Sequence, residues 1–290
     1  MVKVVFKLFL ATIVFMVLFM VVNTILPFSQ DFKELGSSED PMGLLYMLIS
    51  SAWTCFAIYF IIKNTSYSGV KLFLNVLFVM FFIQYFLTQI ETLFFGSAFT
   101  ALSIMDIILI MFAGLLPLLG VVPLMAKLFP NKNVIYEKTN FCIKDIIVKM
   151  GIIGIIYLCV YMIFGYFVAW QFEELRLFYT GSTEKLSFFG QMMNNIKTNP
   201  VIIPFQILRG ILFGLAIIPI RNMINNSKNV FIISVCLIYL CTAIILIIPN
   251  VLFPDIVRIA HLIEMSSSML LFGFIVGIIL WNAKNKKTCT

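Results

Sequence analysis

Apolar runs of about eighteen residues or more recur along the whole of this chain, each long enough to cross a hydrocarbon layer about 30 Å thick. The runs are continuous rather than alternating, which excludes a β-barrel and leaves helices as the spanning element. Eight spans are expected, over about 4–27, 43–63, 71–95, 100–127, 146–171, 200–220, 229–249 and 255–281. The fold class is therefore all-α, a polytopic transmembrane helix bundle that forms one integral membrane domain over residues 1–290. Composition agrees, since only 11% of residues are charged, against about 25% in a soluble domain. Turn and cap residues mark the linkers, as in Gly36-Ser37-Ser38, Asn64-Thr65-Ser66, Pro130-Asn131 and Asn225-Asn226-Ser227. The first span follows Lys3 and Lys7 like a secretory signal, but its apolar run is too long and no small-x-small cleavage site follows. It is expected to stay as an anchor.

Lysine placement sets the expected orientation. With the N-terminus in the cytoplasm, Lys3, Lys7, Lys63, Lys71, Lys127, Lys132, Lys138, Lys144, Lys149, Arg221, Lys228, Lys284, Lys286 and Lys287 all fall inside. Only Lys33, Arg176, Lys185 and Lys197 fall outside, and the positive-inside rule then places both termini in the cytoplasm. The net charge of +7 reads as topology plus attraction to anionic headgroups of the lipid bilayer, not as nucleic-acid binding. Heavy use of Lys, Ile, Phe and Asn fits an AT-rich bacterial genome and hence a cell inner membrane. Cys55, Cys159, Cys236 and Cys241 fall in spans, and Cys142 and Cys289 in cytoplasmic segments, so no extracellular disulfide framework is expected.

Polar residues within the spans point to a site. Gln84, Thr88 and Glu91 share one helical face of span 3, and Asp106 sits at the start of span 4. Gln206 and Arg209 stand at i and i+3 in span 6, while Arg258, His261, Glu264 and Ser268 form a stripe in span 8. All lie between the midplane and the outer surface. Arg209 is the deepest, roughly 18 Å from Arg221 at the inner boundary. A cation in a bilayer core is costly and usually persists for a function. Arginine favours planar, bidentate recognition of a carboxylate or phosphate.

Each residue also has a plainer role. Arg258, Glu91 and Asp106 serve equally as interfacial anchors or interhelical hydrogen-bonding groups. Arg209 pairs structurally if Glu264 or Glu91 faces it. His261 alone would be a packing histidine, but between Arg258 and Glu264 it suits proton carriage. The run Ser266-Ser267-Ser268 offers small residues for close packing.

Several chemistries are absent. There is no GxxxxGK[ST] loop, no HExxH and no GxSxG, and one histidine cannot build a His-rich zinc site. No cofactor and no metal is expected. Glu173-Glu174-Leu175-Arg176 resembles the glutamate motif of intramembrane CAAX-type proteases, but that family needs further histidines that this chain lacks. No role is carried over.

An amphipathic segment over about 182–197, with Leu186, Phe189, Met192, Met193 and Ile196 at helical spacing, is expected to lie on the outer leaflet as a connector or a lid. Gly114-(x)8-Pro123 in span 4 is echoed by Gly210-(x)8-Pro219 in span 6, yet no four-plus-four duplication is visible. The leading expectation is a transporter-like protein with an outer-half pocket for an anionic small molecule or lipid head group. Arg209 would be its principal ligand, helped by Gln206 and Arg258, with His261, Glu264 and Glu91 balancing charge. One alternative is an intramembrane enzyme acting on a lipid-linked or phosphate-bearing substrate. The other is a non-catalytic accessory, immunity or sensor subunit.

Overall fold

Every one of the eight apolar runs is helical. The structure, a computed structural model, describes residues 2–35, 41–99, 102–131, 141–224, 227–249 and 252–283. The linker residues Gly36, Ser37, Ser38, Asn225 and Asn226, the acids Glu39 and Asp40, Lys132, Lys138, Lys284, Lys286, Lys287 and Cys289 lie outside that set. The chain runs through α1 (Val2–Ile25), a short α2 (Gln30–Leu35) and α3 (Gly43–Asn64). The third span is made of α4 (Gly69–Phe81), a π turn (Phe82–Phe86) and α5 (Leu87–Phe94). There follow α6 (Ile104–Leu128), α7 (Ile143–Phe167), α8 (Glu173–Thr180), α9 (Phe188–Thr198), α10 (Ile202–Met223), α11 (Lys228–Ile244) and α12 (Asp255–Trp281). Among the described residues there is no strand, and eight helical spans are long and apolar enough to cross a membrane. The protein is a multi-pass membrane protein of a lipid bilayer.

The packing has an order that the sequence hides. Helices α1, α3, α4–α5 and α6 form one four-span unit, and α7, α10, α11 and α12 form a second. In each unit the first span packs on the second and fourth, the second on the third and fourth, and the third on the fourth. Between units, α3 packs on α11 and α10 on α4–α5, while the π turn meets α11. The two units thus share one pattern of helix-to-helix contacts.

Small residues set the close crossings, as expected where lipid offers no hydrophobic drive between helices. A Cβ on Gly210 would collide with Tyr157 and with the backbone of Gly154, so α10 and α7 cross in near backbone contact. A Cβ on Gly114 would collide with the Tyr85 ring. The echoed glycines of spans 4 and 6 thus do the same work, each seating a tyrosine from the span before it.

The lysine-rich end of the bundle, here the basic end, is tied across the units. The backbone N–H and hydroxyl of Ser66, after α3, both donate to the Met223 carbonyl that ends α10, at 2.9 and 3.2 Å. Within the first unit, Lys7 of α1 donates to the Leu128 carbonyl that ends α6, at 2.8 Å. Cys55, Cys159, Cys236 and Cys241 are free thiols. Cys142 takes part in a disulfide, which its expected cytoplasmic placement did not foreshadow, because cytosolic thiols are kept reduced.

Candidate functional site

At the opposite end of the bundle, Arg209 is held on α10, two turns in from Ile202, with its side chain 1% exposed. A guanidinium stays charged at any physiological pH, so burial demands an acid partner. Glu91 of α5 supplies it. The two side chains meet fork to fork, with one terminal nitrogen donating to Oε1 at 2.6 Å and the other to Oε2 at 2.7 Å. The same nitrogens also reach the Gln206 side-chain oxygen at 3.0 Å and the Leu87 carbonyl at 3.4 Å. Tyr157, Phe205 and Phe213 present their rings to the guanidinium, with centroids 5.5–6.0 Å away. The Glu91 side chain is 27% exposed, so this acid, not the arginine, is the accessible half of the pair.

This pair crosses between the two four-span units. Two buried donors beside it find no acceptor among the described residues, namely the Arg209 Nε and the Gln206 side-chain amide. An unpaired buried donor costs on the order of 1–3 kcal/mol, and here two stand on adjacent turns of α10.

A second chain of polar groups descends from α8 into α12. The Tyr179 hydroxyl lies 3.0 Å from His261 Nε2, and His261 Nδ1 lies 3.8 Å from Glu264. Ser268 donates to Glu264 at 3.4 Å. Burial, then the negative charges of Glu91 and Glu264, push the Tyr179 hydroxyl above the ordinary tyrosine range. Tyr161 of α7 lies within electrostatic reach of Glu91, Arg209, Glu264 and Tyr179.

Other expected site residues are engaged elsewhere. Gln84 falls within the π turn and donates to the Thr54 hydroxyl of α3 at 3.2 Å. Gln84 and Glu91, expected on one face of span 3 with Thr88, thus meet different helices, α3 and α10. Arg258 donates to the Leu246 and Ile247 carbonyls at 2.9 Å each and to Asp255 at 2.9 Å. It thereby satisfies the orphan carbonyls at the end of the seventh span. Asp106 forms a capping box with Ser103 and accepts from both the backbone and the hydroxyl of Ser29 at 2.8 Å, pinning the turn after α1 to the head of α6.

Sequence reading missed α8 and its tyrosine. The expected amphipathic segment forms later than its Ser182-Thr183-Glu184 signal, beginning after the Ser187 cap, and the element over the polar chain is α8. Arg176 holds α8 in place, donating to the Trp170 and Thr183 carbonyls at 2.7 and 2.8 Å. Among the described residues no His/Cys/Asp/Glu group could hold a metal ion. Comparison with protein-family models, with curated proteins and with solved structures returns no match.

Proposed function

We propose that this chain is a transport protein of a bacterial inner membrane, with both termini cytoplasmic, in which an anionic group exchanges with Glu91 for Arg209. The supporting observation is the fork-to-fork pair between the two units, with unpartnered Arg209 Nε and Gln206 amide donors beside it. Parallel repeats that enclose a site between them are a familiar transporter plan. The units are joined by the Ser66–Met223 tie at the basic end and by Arg209–Glu91 at the other, in addition to their helix packing, and movement of one unit against the other would have to break these polar contacts.

Charge counting adds a proton. Arg209 is already neutralised by Glu91, so an incoming anion would place a second negative group on one cation. The anion is taken up with a proton, which neutralises Glu91 or charges His261. His261 and Tyr179 lie on the route from the site-end surface to Glu264.

The test is flux into proteoliposomes of purified full-length protein, using radiolabelled phosphate and a panel of small mono- and dicarboxylates under an imposed pH gradient. Proton-driven uptake of one compound by wild type, and none by Arg209→Met, is the expected result. Absence of uptake for every compound, in protein that remains folded, would remove the transport reading. The Tyr179–His261–Glu264 chain also favours a second reading, acid–base chemistry on a lipid-linked substrate at this end of the bundle. Product formation without flux would select it.

A further inference from the structure

We propose that the groove between α7, α9 and α10 is a dedicated seat for one acyl chain of an anionic membrane lipid. It is separate from the Arg209 site. The groove encloses about 350 Å³, and its walls include Met162 and Ile163 of α7, Phe188, Met192 and Ile196 of α9, and Ile203 of α10. Every lining side chain is apolar.

The groove exists because α9 is held like a bar over α7. The Ser187 hydroxyl caps α9, accepting from the Gly190 N–H at 3.2 Å. The Tyr166 hydroxyl donates to the Leu186 carbonyl at 2.7 Å, and Phe188 stacks on Phe167 with centroids 5.3 Å apart. Residues 188, 192 and 196 repeat every fourth position, so one face of α9 roofs the gap. Its neighbours Phe189 and Met193 are exposed, 82% and 54%, which places α9 at the boundary of the hydrocarbon layer.

What fills the gap follows from its chemistry. Water has no polar partner there, and an empty space would forfeit the dispersion contacts of every wall atom. A hydrocarbon chain meets both conditions. The headgroup preference comes from the far end of α9, where Lys197 directly follows Ile196 and is flanked by Asn194, Asn195 and Asn199. An ammonium one residue beyond the groove wall, among amide groups at the end of α9, fits a lipid phosphate that carries net negative charge.

The test uses full-length protein in detergent, offered equal amounts of phosphatidylglycerol and phosphatidylcholine with matched chains, with retained lipid counted by native mass spectrometry. Wild type is expected to keep one lipid, mainly phosphatidylglycerol. Met162→Trp, which fills the groove, should retain it about tenfold less, the change expected when roughly two methylenes lose their burial. Lys197→Gln should keep a lipid but lose the headgroup preference. Unchanged retention in a folded Met162→Trp protein would overturn the proposal. A measurement on wild type needs no variant to fold: phosphatidylglycerol should slow maleimide labelling of Cys159, which lies in the groove wall, read by peptide mapping. No protection of Cys159 would equally overturn it.

Discussion

Gly210 leaves open the space that the Tyr157 side chain enters, and that one vacancy brings α10 against α7. The crossing also sets the guanidinium, one residue back, beneath the Tyr157 ring at 5.5 Å. Gly210→Leu must push the helices apart or force Tyr157 off its rotamer, a cost of about 1–3 kcal/mol for overpacking. A lowered melting temperature in detergent is expected, with the Arg209 pair loosened at the same time. Gly181→Ala, at a left-handed turn that nothing crowds, gives the contrast of a purely local backbone penalty.

Removing one member of the Arg209–Glu91 pair strands the other. Arg209→Met and Glu91→Met should each destabilise the protein, by about 3–5 kcal/mol for a fully buried pair and less here because Glu91 is partly open. The double variant Arg209→Met/Glu91→Met should be more stable than either single one. Thermal melts of all four proteins check this, and equal additive losses would show that the two groups do not interact.

Tyr179 gives a pH prediction with a definite sign. Its folded hydroxyl titrates above the range of an unfolded tyrosine, chiefly through burial. Above about pH 10 the unfolded chain therefore releases a proton that the folded one keeps, so stability falls as pH rises, and is fully present below. In Tyr179→Phe this part of the alkaline loss should disappear. Melting temperatures between neutral and alkaline pH, compared for the two proteins, measure it.

Asp106 holds a structural joint. Its carboxylate caps α6 and receives Ser29 at the same time. Asp106→Ala should cost about 0.5–2 kcal/mol, the range for a lost cap. It should leave substrate flux per folded molecule unchanged. A change in flux specificity would instead assign Asp106 to the site.

The spans were legible because bilayer thickness dictates their length, and a long apolar run has no other stable form. Arg209 stood out for the same reason, as a charge too costly to bury idly. Its partner did not. Glu91 and Glu264 both sit at suitable depths, and only the packing of α10 beside α5 shows that Glu91 is the partner. The Arg258 partners were not legible, because sequence gives depth without the path of the neighbouring backbone, whose Leu246 and Ile247 carbonyls it meets. Tyr179 was invisible for a different reason. The hydrophobic pattern around it is short, and its place depends on Arg176 folding α8 back over α12. The repeat of the two units lies in which helix touches which, a property that unrelated side chains can satisfy equally well.

The π turn is equivalent to one surplus residue wound into the third span. Each α-helical residue turns the chain by about 100°. The wider winding takes that residue up locally, so deleting one residue between Phe82 and Phe86 would restore ordinary winding and leave Glu91 close to Arg209. A second deletion in the same span would find no slack to draw on and would turn Glu91 by about 100° away from Arg209. The third span thus carries one codon's worth of tolerance, stored over five residues ahead of the acid that joins the two units.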